Sequence, residues 1–188
     1  MWSKMVKDDK EKRIFEAALK LFVEKGIDTT SISLISQEAG IATGTLYLYF
    51  ENKVDLINKL YISIKKEMLD LICTDPSALA LSYESLEKLW MDAVEWGVNN
   101  THAFRFMTQM ESSPYCNEEL SAQFAGHVKV LIRLIKGSIE NKTFKNLPPE
   151  YIADLIFTHV VYTIEYIIRT KTKERRIFFE TLIDGIKY

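Results

Sequence analysis

The chain has 188 residues, enough for one or two domains with a substantial core, and its 47% hydrophobic and 27% charged residues are ordinary for a globular protein. A net charge of −2 does not by itself announce a nucleic-acid binder: residues 1–66 hold 11 Lys plus Arg against 9 Asp plus Glu, a net of +2, and the remainder 13 against 17, a net of −4. The start, MWSKMVKDDKEKR, lacks the apolar core of a signal peptide, and no stretch approaches 18 uninterrupted apolar residues, so a cytoplasmic protein with no membrane partner is expected.

In chain order, the first expected helix covers about Asp8 to Lys25. Ile14, Ala17, Ala18, Leu21 and Phe22 recur on one stripe, and Gly26 ends it. Asp28-Thr29-Thr30 leads to Ser31, which reads as the N-cap of a second, short helix with Ile32, Ile35 and Ala39 on its apolar side. Gly40 stands where that helix must stop and the chain must bend, a place for left-handed backbone. Thr43 reads as the cap of a third helix running to about Tyr49. Ile41, Leu46 and Phe50 complete the expected core of this region. Asn52 reads as the cap of a fourth, with Asp55 three residues later echoing a capping box. Two short helices about a glycine turn are the spacing of a helix-turn-helix, which places a helix in the DNA major groove.

The fourth helix keeps its apolar spacing from Val54 to Ile72 and stops at Asp75-Pro76. The rest reads as all helix: about Ser82–Asn99, about His102–Glu111, about Asn117–Asn141, Pro149 to about Arg169, and about Lys173–Lys187. Ser112-Ser113-Pro114 forms a stop, and Pro148-Pro149 a start. Cys73 and Cys116 lie far apart and read as small buried hydrophobes rather than as disulfide halves. No G-x-S-x-G, Walker, Rossmann or H-E-x-x-H pattern occurs, and the three histidines show no ligand pair, so no catalytic residue, metal or cofactor is expected and the chain does not read as an enzyme.

From about Lys12 to Leu60 the sequence resembles the DNA-binding domain of the TetR family of repressors. IFEAALKLFVEKGIDTTS, the Ala39-Gly40-Ile41 turn and GTLYLYFENKVDLI carry the resemblance. It implies an all-α fold: a helix-turn-helix DNA-binding domain over 1–52 and a helical ligand-binding and dimerisation domain over 53–188. It further implies a regulator released from a roughly palindromic operator by a small effector. The rival reading is a helical ligand-binding or protein-interaction module without regulatory DNA binding.

Ala42, Thr43, Gly44, Thr45, Tyr47, Leu48 and Tyr49 face more or less outward on the reading helix, with Thr43, Gly44 and Thr45 nearest the base edges. Tyr49 reads equally well as partly core. The resemblance assigns Tyr47 and Lys53 to DNA phosphates, and Ser31 and Ser33 can hold the backbone beside them. Lys4, Lys7, Lys10, Lys12 and Arg13 form either a DNA-following arm or a solvated end. Glu51, Ser36 and Leu48 depart from the family's usual residue types.

Bulky adaptable side chains concentrate between Trp90 and Phe124. Trp90, Trp96, Phe104, Met107, Met110, Phe124, His127 and Tyr162 are the candidate lining of an effector pocket, with core filling as the alternative use of the same residues. The last two helices carry more apolar residues than one packed face needs. Tyr151, Leu155, Ile164, Ile168, Phe178, Phe179, Leu182, Ile183 and Ile186 are therefore the candidate homodimer contacts.

Overall fold

The computed structural model describes residues 8–72 and 78–188. Ten helices are present among them: α1 (Asp9–Lys25), α2 (Ile32–Glu38), α3 (Thr43–Leu46), α4 (Lys53–Ile72), α5 (Tyr83–Asn99), α6 (Thr101–Glu111), α7 (Glu118–Ala122), α8 (Ala125–Glu140), α9 (Pro149–Thr170) and α10 (Arg176–Ile186). The all-α expectation holds for the described residues, where a single isolated bridge, Phe144 with Lys187, is the β pairing recorded. The arm residues Lys4 and Lys7, Cys73 and the Asp75-Pro76 stop lie outside the described residues.

Two compact units emerge. One takes the chain up to Glu67 together with Asn100–Leu120; the other takes Met68–Asn99 and Ser121–Tyr188. A boundary at 52/53 therefore falls inside the first unit, because α6 returns to pack on α1 and most of α4 belongs with them.

In the first unit the stripe of α1 meets α2 and α6. Ile14, Ala18 and Phe22 are fully buried, and Phe22 stacks on Phe106 of α6 at 5.7 Å between ring centroids. Asp8 caps α1 by accepting from the backbone N–H groups of Lys10 and Glu11. After α1, the buried Thr30 hydroxyl donates to the Gly26 carbonyl at 2.8 Å, which fixes the entry into α2. Lys65 and Glu111 form a half-buried ion pair between α4 and α6.

In the second unit α9 packs against α5, α8 and α10. Gly97 lets α5 approach α9 closely: a Cβ there would stand 2.5 Å from Ile164 Cδ1. Trp90 is buried, donates its indole N–H to His159 Nδ1 at 3.2 Å and packs on Phe179. Ser138 is buried on α8 and ties down the segment before α5, accepting from Leu81 N–H and donating to Leu81 C=O. Lys145 donates to the Asp184 and Gly185 carbonyls at the end of α10, where cations are favoured.

One helix expectation is corrected. The helix expected over Asn117–Asn141 is broken into α7 and α8 at Gln123-Phe124, where tight bonds from Phe124 N–H to Ser121 C=O and from His127 N–H to Phe124 C=O replace the regular helical turn. α9 is also long and apolar enough to cross a membrane by length and composition alone, although its apolar run is interrupted in sequence. Within its unit it packs against α5, α8 and α10.

Candidate nucleic-acid interface

The turn between α2 and α3 is built from local chemistry. Ser31 caps α2 by accepting from Leu34 N–H, and its hydroxyl pairs with that of Ser33 at 3.0 Å. Ser36, which departs from the apolar norm, is buried and donates to the Ile32 carbonyl at 2.9 Å, so its polarity is satisfied inside the helix. Gly40 has φ +64°, the left-handed conformation expected of it. Arg13 reaches from α1 to the end of α2. Its Nη2 donates to the Ala39 carbonyl and to the Gly40 carbonyl at 3.0 Å, so α1 holds the turn directly.

α3 starts at its expected cap residue, Thr43, one residue earlier than expected. Ala42, not Thr43, is the N-cap, and no side chain closes the helix start; extended backbone at Ala42 lets the first turn begin at Thr43. The helix proper ends at Leu46, and turns continue it to Phe50, with Leu48 N–H bonded to Thr45 C=O and Phe50 N–H to Leu46 C=O. Leu46 and Phe50 are buried. Ala42, Thr43 and Gly44 are exposed, Thr45 is half-buried, Tyr47 is 53% exposed and Leu48 is 83% exposed. Ser31 and Ser33 are exposed at the start of α2.

Tyr49 is half-buried and its hydroxyl donates to Asp8 Oδ2 at 2.7 Å. Hydrogen bonding from Glu11 N–H, then from Tyr49, holds the Asp8 carboxyl below its ordinary range, and the same partner raises the Tyr49 phenol. The capping box at α4 forms nearly as expected: Asp55 N–H donates to Asn52 Oδ1, and the Asp55 carboxylate accepts from Glu51 N–H, one residue before the cap. Lys59 then bonds both Asp55 and the Tyr49 carbonyl. Lys53 is half-buried, and its amine donates to the Asp28 carbonyl at 3.1 Å. The Asp28 carboxylate accepts from the Tyr115 hydroxyl at 2.8 Å. The serines, α3 and Lys53 all belong to the first unit. Asp8, Asp28 and Tyr115 were not legible as site residues, and Arg13 was legible only as part of a basic arm or solvated end, since each acts through a partner 25 to 87 positions away.

The second unit holds a cavity of about 290 Å³ lined by Leu69, Leu89, Gln123, Gly126, His127, Val130, Leu131 and Leu134. His127, Val130 and Leu134 follow the i, i+3, i+7 pattern of one face of α8, and that spacing was the available signal. His127 is half-buried, and its buried Nδ1 has no hydrogen-bond partner among the described residues. Of the eight expected lining residues, only His127 is here. Trp90 and Trp96 are packed into the core. Phe124 is buried in the turn before α8. Phe104, Met107 and Met110 belong to the first unit, because α6 spends its apolar face on α1. Tyr162 is 64% exposed and stacks on Tyr166.

The expected dimer contacts also divide. Ile164, Phe179, Leu182, Ile183 and Ile186 are buried within the protomer's own core, because α10 turns its apolar face inward. Leu155, Ile168 and Phe178 are half-buried, and Tyr151 is exposed. Phe157, Tyr162 and Ile177 are the further exposed large apolar residues of α9 and α10.

A capped helix, a left-handed glycine turn and a short exposed helix, backed by a lysine at the next helix start, define a helix-turn-helix DNA-binding regulator. Residues 14–60 match the family model for bacterial regulatory proteins, tetR family. The HTH-type transcriptional regulator YhgD of Bacillus subtilis (strain 168) is 37% identical over 60 residues, 32% of this chain and 31% of that protein, so the match spans about a third of that relative. The fatty acid metabolism regulator protein of the same organism is 25% identical over 142 residues, 74% of this chain and 73% of that one. A TetR family transcription regulator from Marinobacter aquaeolei VT8 has the same fold, with a TM-score of 0.84 at 18% identity over 95% of both chains. Residues 14–60 thus match the helix-turn-helix of the TetR family, and over 95% of the chain the fold is that of a TetR family regulator.

Proposed function

We propose that the protein is a repressor that binds a roughly palindromic operator as a homodimer and leaves it when an apolar effector occupies the cavity on α8. The observation that carries the DNA half is the solvent-facing side of α3. Thr43 and Gly44 of α3 and Tyr47 and Leu48 of the turns that follow it are exposed, while Leu46 and Phe50 anchor the segment inward. One such helix reads half a site, and two copies about 34–36 Å apart match successive major grooves. Ala42, Thr45 and Lys53, with Ser31 and Ser33, border that surface. Tyr49 supports it from within.

The effector half rests on the apolar cavity and on His127. Its volume, about 290 Å³, lies at the lower end of small-ligand sites. Five of the eight lining residues are Leu or Val, and the orphaned His127 Nδ1 offers one hydrogen bond to orient a ligand. The name of the Bacillus subtilis relative, a fatty acid metabolism regulator, agrees with an apolar effector. The dimer face is reassigned to Tyr151, Leu155, Phe157 and Tyr162 on α9 with Ile177 on α10, the apolar residues not consumed by the protomer's core.

The test is isothermal titration with a panel of medium-chain carboxylates, alcohols and single-ring aromatics, with wild type and Leu134→Trp. Binding by wild type, abolished in the filled variant, together with weakened DNA binding, supports the reading. Binding unchanged in Leu134→Trp, or no compound bound at all, contradicts the assigned cavity. A ligand can release DNA only through its differential affinity for the two states, about 1–3 kcal/mol of coupling.

A further inference from the structure

Lys53 already has a partner within the protein. Its amine donates to the Asp28 carbonyl at 3.1 Å, and the carboxylate of the same Asp28 accepts from the Tyr115 hydroxyl at 2.8 Å. All three residues belong to the first unit. The carbonyl sits on a fixed stretch of backbone: Ile27 is buried beside it, and the Thr29 and Thr30 hydroxyls donate to the Gly26 carbonyl at 3.2 and 2.8 Å. The Asp28 side chain, in contrast, is exposed and free to change rotamer unless something holds it. Tyr115 stands on a braced turn after α6. The Ser113 hydroxyl donates to the carbonyl of the fully buried Met110 at 2.8 Å, Cys116 N–H to the Ser113 carbonyl at 3.2 Å and Asn117 N–H to the Tyr115 carbonyl at 3.1 Å.

We propose that Tyr115 is a positioning residue for DNA binding: its hydroxyl holds the Asp28 carboxylate away from Lys53 and so keeps the ammonium available to a phosphate. An ammonium has three donors. One, on the Asp28 carbonyl, selects the Lys53 rotamer before DNA arrives, which spares part of the ordering cost of binding. Two remain for phosphate oxygens. A carboxylate is a stronger acceptor for a cation than a carbonyl is. The Asp28 carboxylate belongs to the residue that Lys53 already touches, so once released it competes with phosphate for the same amine. The inference rests on the phosphate role of Lys53 proposed above, and it adds a residue outside the helix-turn-helix, beyond the 14–60 match.

The experiment begins with selection of duplexes from a random library by the full-length protein. Affinity for the selected duplex is then measured by fluorescence anisotropy for wild type and Tyr115→Phe, and for the same pair in the Lys53→Ala and Asp28→Asn backgrounds. Tyr115→Phe deletes the hydroxyl and keeps the ring. It should weaken binding about three-fold per half-site, the scale of an exposed lysine–carboxylate pair. Asparagine at position 28 carries no charge with which to capture Lys53. In that background, and in Lys53→Ala, the same change should therefore alter affinity by less than about 1.5-fold. Unchanged affinity in Tyr115→Phe, or a three-fold loss that survives in either background, overturns the assignment while leaving DNA binding in place. A Lys53→Ala protein that binds as tightly as wild type removes the phosphate role of Lys53, and the assignment with it. Failure to select any sequence overturns the DNA-binding reading itself.

Discussion

The guanidinium of Arg13 ties α1 to the helix-turn-helix through the Ala39 and Gly40 carbonyls, and its removal should loosen the turn. Arg13→Met keeps the aliphatic stem and deletes both bonds. A hydrogen bond to a charged group contributes about 1.5–3 kcal/mol when desolvated. Arg13 is exposed, so solvent competes and about 1 kcal/mol for the pair is the reasonable figure. For a chain of this size that lowers the thermal midpoint by about 2–4 °C. Gly40 supplies an internal control. At φ +64° an alanine costs about 1–2 kcal/mol from backbone alone, and its Cβ would stand 2.8 Å from Arg13 Nη2. Gly40→Ala should therefore be less harmful in the Arg13→Met background than in wild type. The assay is thermal and urea unfolding of the four proteins, followed by circular dichroism. An unchanged midpoint in Arg13→Met, or strict additivity of the two changes, would refute the clamp.

Further outcomes follow from the same contacts. Lys53→Ala should flatten the dependence of log affinity on log salt by about 0.9 per half-site, as expected for one lost phosphate contact, and equal slopes by fluorescence anisotropy would remove Lys53 from the interface. Burial holds the His159 imidazole below its ordinary range, and the ring must stay neutral at Nδ1 to accept from Trp90. A depressed folded value means the unfolded chain binds the extra proton first. The contribution is therefore complete above about pH 6.5 and is lost as pH falls through the folded value. His159→Gln should flatten that part of a midpoint-against-pH curve, whereas an unchanged curve would show that the ring does not contribute. Asp8 follows the same sign at lower pH: its stabilising bonds to Lys10, Glu11 and Tyr49 are present above about pH 4 and lost on acidification, and Tyr49→Phe should weaken the effect. Tyr162→Glu, on the exposed side of α9, should convert a dimer to the 21.8 kDa monomer in sedimentation without loss of helix content; a dimer unaffected by it would move the interface elsewhere.

The sequence revealed the local chemistry of the first unit well and the tertiary choices of the second poorly. Caps and turns depend on residues within four positions of one another, so Ser31, Gly40, Asn52 and Asp55 could be read directly. Thr43 failed because Ala42 and Thr43 are both compatible with the start of so short a helix. Apolar periodicity tells that a face is buried but not against what. Phe104, Met107 and Met110 look the same whether they line a pocket or pack on α1, and only the return of α6 to the first unit decides it. Phe179, Leu182, Ile183 and Ile186 likewise satisfied a pattern that fits an interface and a core equally well. Arg13 and Tyr49 were named, but their bonds to the Ala39-Gly40 turn and to Asp8 were not, because those partners lie 26 and 41 residues away.

The central claim, that the exposed side of α3 reads DNA sequence, is tested most directly by equilibrium binding of the full-length protein to its selected duplex and to a scrambled duplex at 150 mM salt. The selected site should be preferred by at least about 10³-fold, and the preference should fall to near parity when Thr43, Tyr47 and Leu48 are all replaced by alanine. Equal affinity of the wild-type protein for the two duplexes would contradict it.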